Sequence, residues 1–454
     1  MKPVTTILTP TGMLGYGYPE SDFWAAVERG VDVLVADSGS TDPGPYMLGL
    51  GATLCSDESY ARDLRPMLQA VHRKQIPLLI SSAGGAGTRD QVDHMVALID
   101  RIAAEEGFGL RVAAIYADVP AGAVTAKLAT GRIEPNVRGD LPSSEAVEAS
   151  AAIVAQMGAA PFTAILEGDQ PFDVIVAGRA YDPAPHAAWS MHHGVAPSLA
   201  WHSGKLLECG GVCAEPKGGG VIATMYTDAF EMTPMSPGQA CTPLSVAAHT
   251  LYEKSRPDLL PGPDGVLDIS DCTYTVVDER TVRVSGSRHL HPERATVKLE
   301  GATIAGYRTI FIGGIHDPIL IGQLDDFLAT VEQHAAGLHP DLASGTARLD
   351  FTVYGRDAVM GELEPSTATP HEVGVLGQIT APTQEMAKAI CSTVRIWTLH
   401  LPYKGQLATA GNLALPLNPM DNAIGEVCEF SIYHVMDVGG DDLFPITRTE
   451  VGIR

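Results

Sequence analysis

Short apolar, β-branched runs alternate with helix-like segments through the first 180 residues, and this pattern restricts the fold more than any other feature of the sequence. Such alternation marks βαβ units, in which each helix carries the chain back across a parallel sheet. Strands are read at Thr5–Leu8, Val31–Ala36, Pro77–Ile80, Arg111–Tyr116 and Phe172–Val176. Between them Ser21 is expected to cap a helix ending near Gly30, and Tyr60–Lys74 carries Leu64, Leu68 and Val71 at helical spacing. Thr88 with Gln91 forms a capping box for a helix to about Glu106, and Glu145–Met157 reads as helix-rich.

From about Gly265 the runs shorten: Arg280–Ser285, Ala295–Leu299 and Thr309–Ile312, then a helix from Pro318 to about His334. Ala347–Tyr354 and Glu429–His434 read as further strands and Thr383–Leu399 as a helix. The expected architecture is α/β, an open, mostly parallel sheet with flanking helices plus a smaller α+β C-terminal part. The Pro/Gly-rich stretch Pro257–Gly265 suggests a boundary, giving an α/β domain over 1–262 and an α+β domain over 263–454.

Charge narrows the partners. With 30 Lys and Arg against 54 Asp and Glu, the net charge of −24 repels phosphate backbones and anionic lipid, and no basic cluster offsets it. Neither nucleic acid nor membrane is expected as a partner. Seven scattered cysteines in 454 residues suit a reducing cytoplasm rather than a disulfide scaffold.

In an open parallel sheet, loops from several strands converge beyond the strands' carboxyl ends, and ligands bind there. Four polar clusters fall at that edge. The first runs from Asp37 to Pro45: Ser38, Ser40 and Thr41 are small enough for close approach to a substrate, and Asp37 with Asp42 offers hard oxygens for a Mg or Mn ion. An Asx/Pro turn would use the same residues. The second, Ser81–Thr88, feeds a helix amino terminus, so the amides around Ser82, Gly84, Gly85 and Gly87 suit a small anion. It lacks both the GxGxxG spacing and a Gly-Lys-Ser/Thr ending, so no nucleotide or redox cofactor is expected.

The third cluster follows the Phe172–Val176 strand. Arg179 presents a planar fork to a carboxylate, with Tyr181 and Asp182 as proton donor and orienting partner, although an Arg179–Asp182 brace is the competing reading. The fourth is His202–Cys213, in which Lys205 and Glu208 share a helix face as an acid–base pair, while Cys209 and Cys213 are badly spaced for zinc. Asp118, just past the Arg111–Tyr116 strand, is a further candidate base.

Gly39–Gly44 followed by Tyr46–Gly49, the Ser81–Gly87 loop, DVIVAGRAYDPAPHAA (173–188), HSGKLLECGGVCAEP (202–216) and GNLALPLNPMDNAIGEVCEFSIYH (411–434) together resemble the acyclic terpene utilisation A-type (AtuA) family. The resemblance implies bacterial breakdown of branched acids and terpenoids, commonly beside a small companion protein. That companion would be a separate polypeptide, since this chain ends soon after the closing segment.

Together these readings point to a cytoplasmic hydro-lyase, a homo-oligomer, acting on a small, branched or unsaturated carboxylic acid. Removing water β to a carboxylate needs an anion clamp (Arg179 and the Ser82–Gly87 amides), a base (Lys205 or Glu208) and an acid (Tyr181 or Asp182). An isomerase that shifts a proton or double bond would use the same parts, and a scaffold subunit activated by its companion is the non-catalytic alternative.

Overall fold

The structure, a computed structural model, describes residues 2–136, 139–251, 256–440 and 442–453. The chain folds into two compact units, Met1–Thr303 with Phe430–Arg454, and Ile304–Glu429.

The larger unit is built on a ten-stranded sheet whose centre is parallel. Thr5–Thr9, Val33–Asp37, Leu78–Ser81, Val174–Ala177 and Leu110–Ile115 lie side by side in that order, all pointing one way. Antiparallel strands extend it on both sides: Ile446–Val451 beyond Leu110–Ile115, and Val221–Met225, Phe230–Pro234, Val282–Ser285 and Thr273–Val276 beyond Thr5–Thr9. Because side chains alternate across a strand, each central strand feeds two cores. Leu34, Ala36, Leu78, Ile80 and Val176 pack with Tyr60, Leu64, Leu68, Val92 and Ile99 from the helices Asp57–Lys74 and Arg89–Glu106. Val33, Val35, Leu79, Ile175 and Ala177 pack on the other face with Phe162, Ala187, Trp189 and Leu199. A run such as Val33–Asp37, buried at every position, is the outcome.

The smaller unit sets residues 307–315, Val373–Ala381 and Arg348–Tyr354 as antiparallel neighbours. The helices Leu324–Leu338 and Gln384–His400 supply Phe327, Val331, Ile390 and Val394 to a core shared with Phe311, Val375 and Ile379. Together the units make an α/β fold with a parallel core and a smaller α+β part.

Several local expectations change. Ser21 lies inside the helix Glu20–Glu28, whose first turn is stabilised by Glu20 and Asp22 rather than by a side-chain cap. Glu145–Met157 is a five-residue helix, Ser144–Glu148, then a strand, Ala152–Gln156, paired with residues 298–302. Apolar residues in a short run fit either period, and the packing of Ile153 and Ala155 on Val297 and Leu299 selects the strand. The runs at 295–299 and 309–312 are parts of one strand, Thr296–Ile315, while the helix after Pro318 breaks at Gly322. Residues 263–303 pack with the larger unit, since Val282–Ser285 pairs with Phe230–Pro234, so the two units divide at Thr303 rather than at 262. Among the described residues no helix is long and apolar enough to cross a membrane.

The loops at the carboxyl edge pack backbone on backbone. A Cβ on Gly39 would lie 2.2 Å from the Gly85 α-carbon, and one on Gly87, which sits at φ +65°, would lie 2.1 Å from the Arg179 nitrogen. Gly87→Ala combines a left-handed backbone with a backbone clash and is expected to cost about 3–4 kcal/mol. A fall in the urea midpoint at unchanged m-value measures it.

Candidate functional site

The carboxyl edge gathers three of the four clusters around Arg179. The strand Val174–Ala177 ends one residue before Gly178, and the chain then turns so that the Arg179 guanidinium is buried, with 2 % of its side chain exposed. Nε donates to Glu300 Oε2 at 2.8 Å, and Nη1 donates to the Ala180 carbonyl at 2.9 Å, to Ser82 Oγ at 3.3 Å and to Asp182 Oδ1 at 3.3 Å. Nη2 has no acceptor among the described residues, and Arg179 lines the adjoining cavity. Burial works against the charged guanidinium, but Glu300 and Asp182 outweigh it and raise the Arg179 pKa. So Arg179 is a brace through Nε and Nη1, and its side chain also lines the cavity.

Glu300 is fully buried, and its other oxygen pairs with Lys298 Nζ at 2.6 Å. Burial alone would raise its carboxyl, yet Arg179 and Lys298 hold it down at about 2. Neither residue was a candidate in the sequence. In the run Thr296–Ile315, Lys298 and Glu300 alternate with Val297 and Leu299, a pattern that reads equally as a solvated face. Only the tertiary structure turns that face toward Arg179.

The Ser81–Thr88 loop has a different job from the expected anion cradle. Its amides are used inside the protein: Ser82 N donates to Gly178 O, Ala83 N to Ala177 O, Gly84 N to Ser38 Oγ, Gly85 N to Ser82 O and Gly87 N to Ala83 O. Ser82, at φ 47°, aims its hydroxyl at Arg179 and Ala180. Gly84, Gly85 and Gly87 therefore hold the loop against the Arg179 backbone rather than offering N–H groups to a substrate. Ser38 is tied to Gly84, Ser40 Oγ accepts from Asp42 N, and the Thr41 carbonyl accepts from Gly44 N. All three are buried braces of the first loop.

Asp37 is buried and its Oδ1 accepts from Ser81 Oγ at 2.8 Å and from Ser38 N at 3.0 Å. Burial, reinforced by the Asp182 charge, pushes its carboxyl well above the ordinary range. Asp42 is exposed at the cavity rim. Among the described residues no three His, Cys, Asp or Glu side chains converge as a metal-binding group, so the expected Asp37/Asp42 cation pair gains no third ligand. The Cys213 thiol donates to the Gly210 carbonyl at 3.9 Å, and the neighbouring Cys241 together with burial raises it.

Lys205 lies on the buried helix Pro197–Leu207 and forms a short ion pair with Glu208, the helix C-cap. Burial disfavours the ammonium, but Glu208 more than compensates and the Lys205 pKa rises. Lys205 is thus held as the cation, which leaves Glu208 as the proton acceptor of the pair. Burial raises the Tyr181 phenol, with Glu208 and Asp182 adding to it, and the ring lies 5.9 Å from that of Trp201. Asp182 keeps 29 % of its side chain open, and burial raises its carboxyl against the pull of Arg179. Asp118 stands apart. Its raised carboxyl answers first to burial and then to Arg89, so it does not join the cluster.

Of these groups Tyr181 and Asp182 line a cavity with about 480 Å³ of room, together with Arg179, Lys298, Asn136 and Gln156 among others. The fold and this crevice define an α/β protein with a charged, partly buried pocket at the carboxyl edge of a parallel sheet. The family model of the acyclic terpene utilisation family protein AtuA matches residues 25–412, and the chain belongs to that family, which is implicated in acyclic terpene utilisation. No curated protein and no solved structure matches the chain.

Two measurements follow from the geometry. Arg179→Met leaves Glu300 buried with less compensation and is expected to cost about 3–5 kcal/mol, with Arg179→Met/Glu300→Leu regaining part of the loss in a double-mutant cycle. The second concerns Asp37, whose folded pKa lies above its ordinary 3.8. Such a carboxyl makes folding less favourable as pH climbs past the unfolded value, because only the folded state must keep or bury the group. Asp37→Asn imitates the neutral acid, so its melting temperature should exceed that of the parent at about pH 8 and the difference should vanish near pH 4.

Proposed function

We propose that this chain is a cytoplasmic lyase of the hydro-lyase type acting on a small, branched or unsaturated carboxylic acid in a catabolic pathway. The observation that carries the reading is the charge balance of the cavity. Arg179 and Lys298 both line the cavity and share the buried Glu300, Asp182 and Asp42 are the carboxyls on its wall, and burial raises that of Asp182, while Lys205 and Glu208 form a buried pair of their own. Two cationic side chains sharing one buried carboxylate favour a single bound substrate carboxylate at that end of the cavity. Arg179 Nη2 and Lys298 are the groups that would hold it.

In the dehydration direction Glu208 takes the proton from the carbon next to the carboxylate. The C–O bond at the next carbon then breaks, and the departing oxygen receives a proton from Asp182, so one water leaves and one double bond forms. Tyr181, kept as a phenol, supports the developing negative charge as a hydrogen-bond donor. Lys205 stays charged beside Glu208 and orients it. Hydration runs through the same steps reversed. None of the seven cysteines forms a disulfide, in keeping with a reducing compartment.

The test is to assay the purified chain on unsaturated and hydroxylated branched acids, following the product by NMR. Water addition or loss supports the proposal. Movement of the double bond without water indicates an isomerase, and turnover only after a small companion polypeptide is added indicates a scaffold. Glu208→Gln is expected to lower kcat by at least about 10²-fold with little change in KM, whereas Lys298→Met should act mainly on KM. Because the acid must be protonated to act, activity should fall as pH rises through the raised Asp182 pKa, and Asp182→Asn should remove that limb of the profile.

A further inference from the structure

A second chamber adjoins the cavity and has walls of a different kind. Tyr181, Trp201, Lys205, Leu260, Asp264 and His289 enclose it, and it offers a water centre about 20 Å³ of room. Roughly 10–15 Å³ counted in this way holds one water, provided that the site supplies two to four polar partners. The substrate acid needs far more space than this. Tyr181 and Gly262 line both chamber and cavity, and a Cβ on Gly262 would lie 2.9 Å from Tyr181 Cε1. The phenol ring against a bare α-carbon is therefore the partition.

Polar groups are present at the required number. His289 Nδ1 is buried and makes no hydrogen bond among the described residues, a costly state for a ring nitrogen unless a small polar molecule reaches it. The Cε1–Nε2 edge of the same ring lies over Gly265, where a Cβ would come within 3.0 Å. Asp264 accepts from Ala159 N at 2.7 Å through Oδ2, and its Oδ1 has no donor among the described residues. Lys205 closes a third side. Burial holds His289 below its ordinary value, so the ring is neutral and one nitrogen is an acceptor.

We infer that this chamber is a binding site for one water molecule, held by His289 and Asp264, and that it exchanges water with the cavity past Tyr181. The catalytic half of the inference rests on the hydro-lyase reading, while the water site itself does not. In hydration the stored water forms the new C–O bond through its oxygen lone pair and gives one proton to Asp182, while the neighbouring carbon receives a proton from Glu208. In dehydration the same water returns. His289 is a positioning residue, since it touches the water and not the acid.

The test combines high-resolution crystallography with kinetics on the full chain. Wild type and His289→Asn, whose amide oxygen lies near the place of Nδ1, should show one ordered water in the chamber, and His289→Leu should lack it. In the assay, His289→Leu should lower the hydration kcat by at least about tenfold at unchanged KM while exchange of the carbon-bound proton with D2O continues, and His289→Asn should restore hydration. A wild-type chamber without ordered water overturns the inference. So does His289→Leu if it leaves hydration unchanged, or if it slows exchange and hydration equally. Should the wild type hold the water yet neither hydrate nor exchange, the hydro-lyase reading fails and the water site stands.

Discussion

The buried pair of Arg179 and Glu300 is the interaction on which the site depends. Removing two opposite charges from water costs several kcal/mol per ion, and the pair is tolerable only because further hydrogen bonds satisfy the remaining atoms. Ser82, Ala180 and Asp182 accept from Nη1 of the guanidinium, and Lys298 adds a second ion pair to the carboxylate. Ser82 holds a left-handed backbone angle, and glycines at 39, 85 and 87 let three loops close to backbone contact around it. The edge of the sheet is thus shaped to keep one guanidinium in place.

The same arrangement explains the unusual acids nearby. Asp37 and Asp182 sit in low-dielectric surroundings beside one another, and burial raises both. Glu300 experiences comparable burial but faces two cations, and it is held low. Three carboxyls within one site are therefore separated by their neighbours, two raised by burial and one held low by paired cations. Lys205 and Glu208 form a second pair on a helix whose residues 199–207 are all buried, so their geometry is as rigid as the core around them.

Much of this was legible in the sequence. The five central strands, the Thr88/Gln91 capping box and the Ser81–Thr88 loop appear where the patterns place them, because strand alternation and capping are local consequences of side-chain type. The structure places Arg179, Tyr181 and Asp182 together at the carboxyl edge and pairs Lys205 with Glu208 at the end of the helix Pro197–Leu207. Ala152–Gln156 is a strand where a helix is expected, because its four apolar residues, Ala152 to Ala155, carry no decisive period. The division of the chain followed texture in the sequence, whereas in the fold the strand Val282–Ser285 joins the larger sheet across a long sequence separation.

By itself, then, the sequence determined the parallel sheet, the edge at which its loops meet and the residue types available there, since these depend on periodicity and on neighbours a few positions apart. The tertiary structure decided what each residue does. It directed the Ser82–Gly87 amides into internal hydrogen bonds, placed Lys298 and Glu300 from a strand about 120 positions away beside Arg179, left Asp118 with Arg89, and set His289 and Asp264 beside Lys205. These assignments rest on burial and on contacts between segments far apart in the chain. Neither is encoded in local pattern, because a charged side chain on a strand reads the same whether its face meets water or a buried partner.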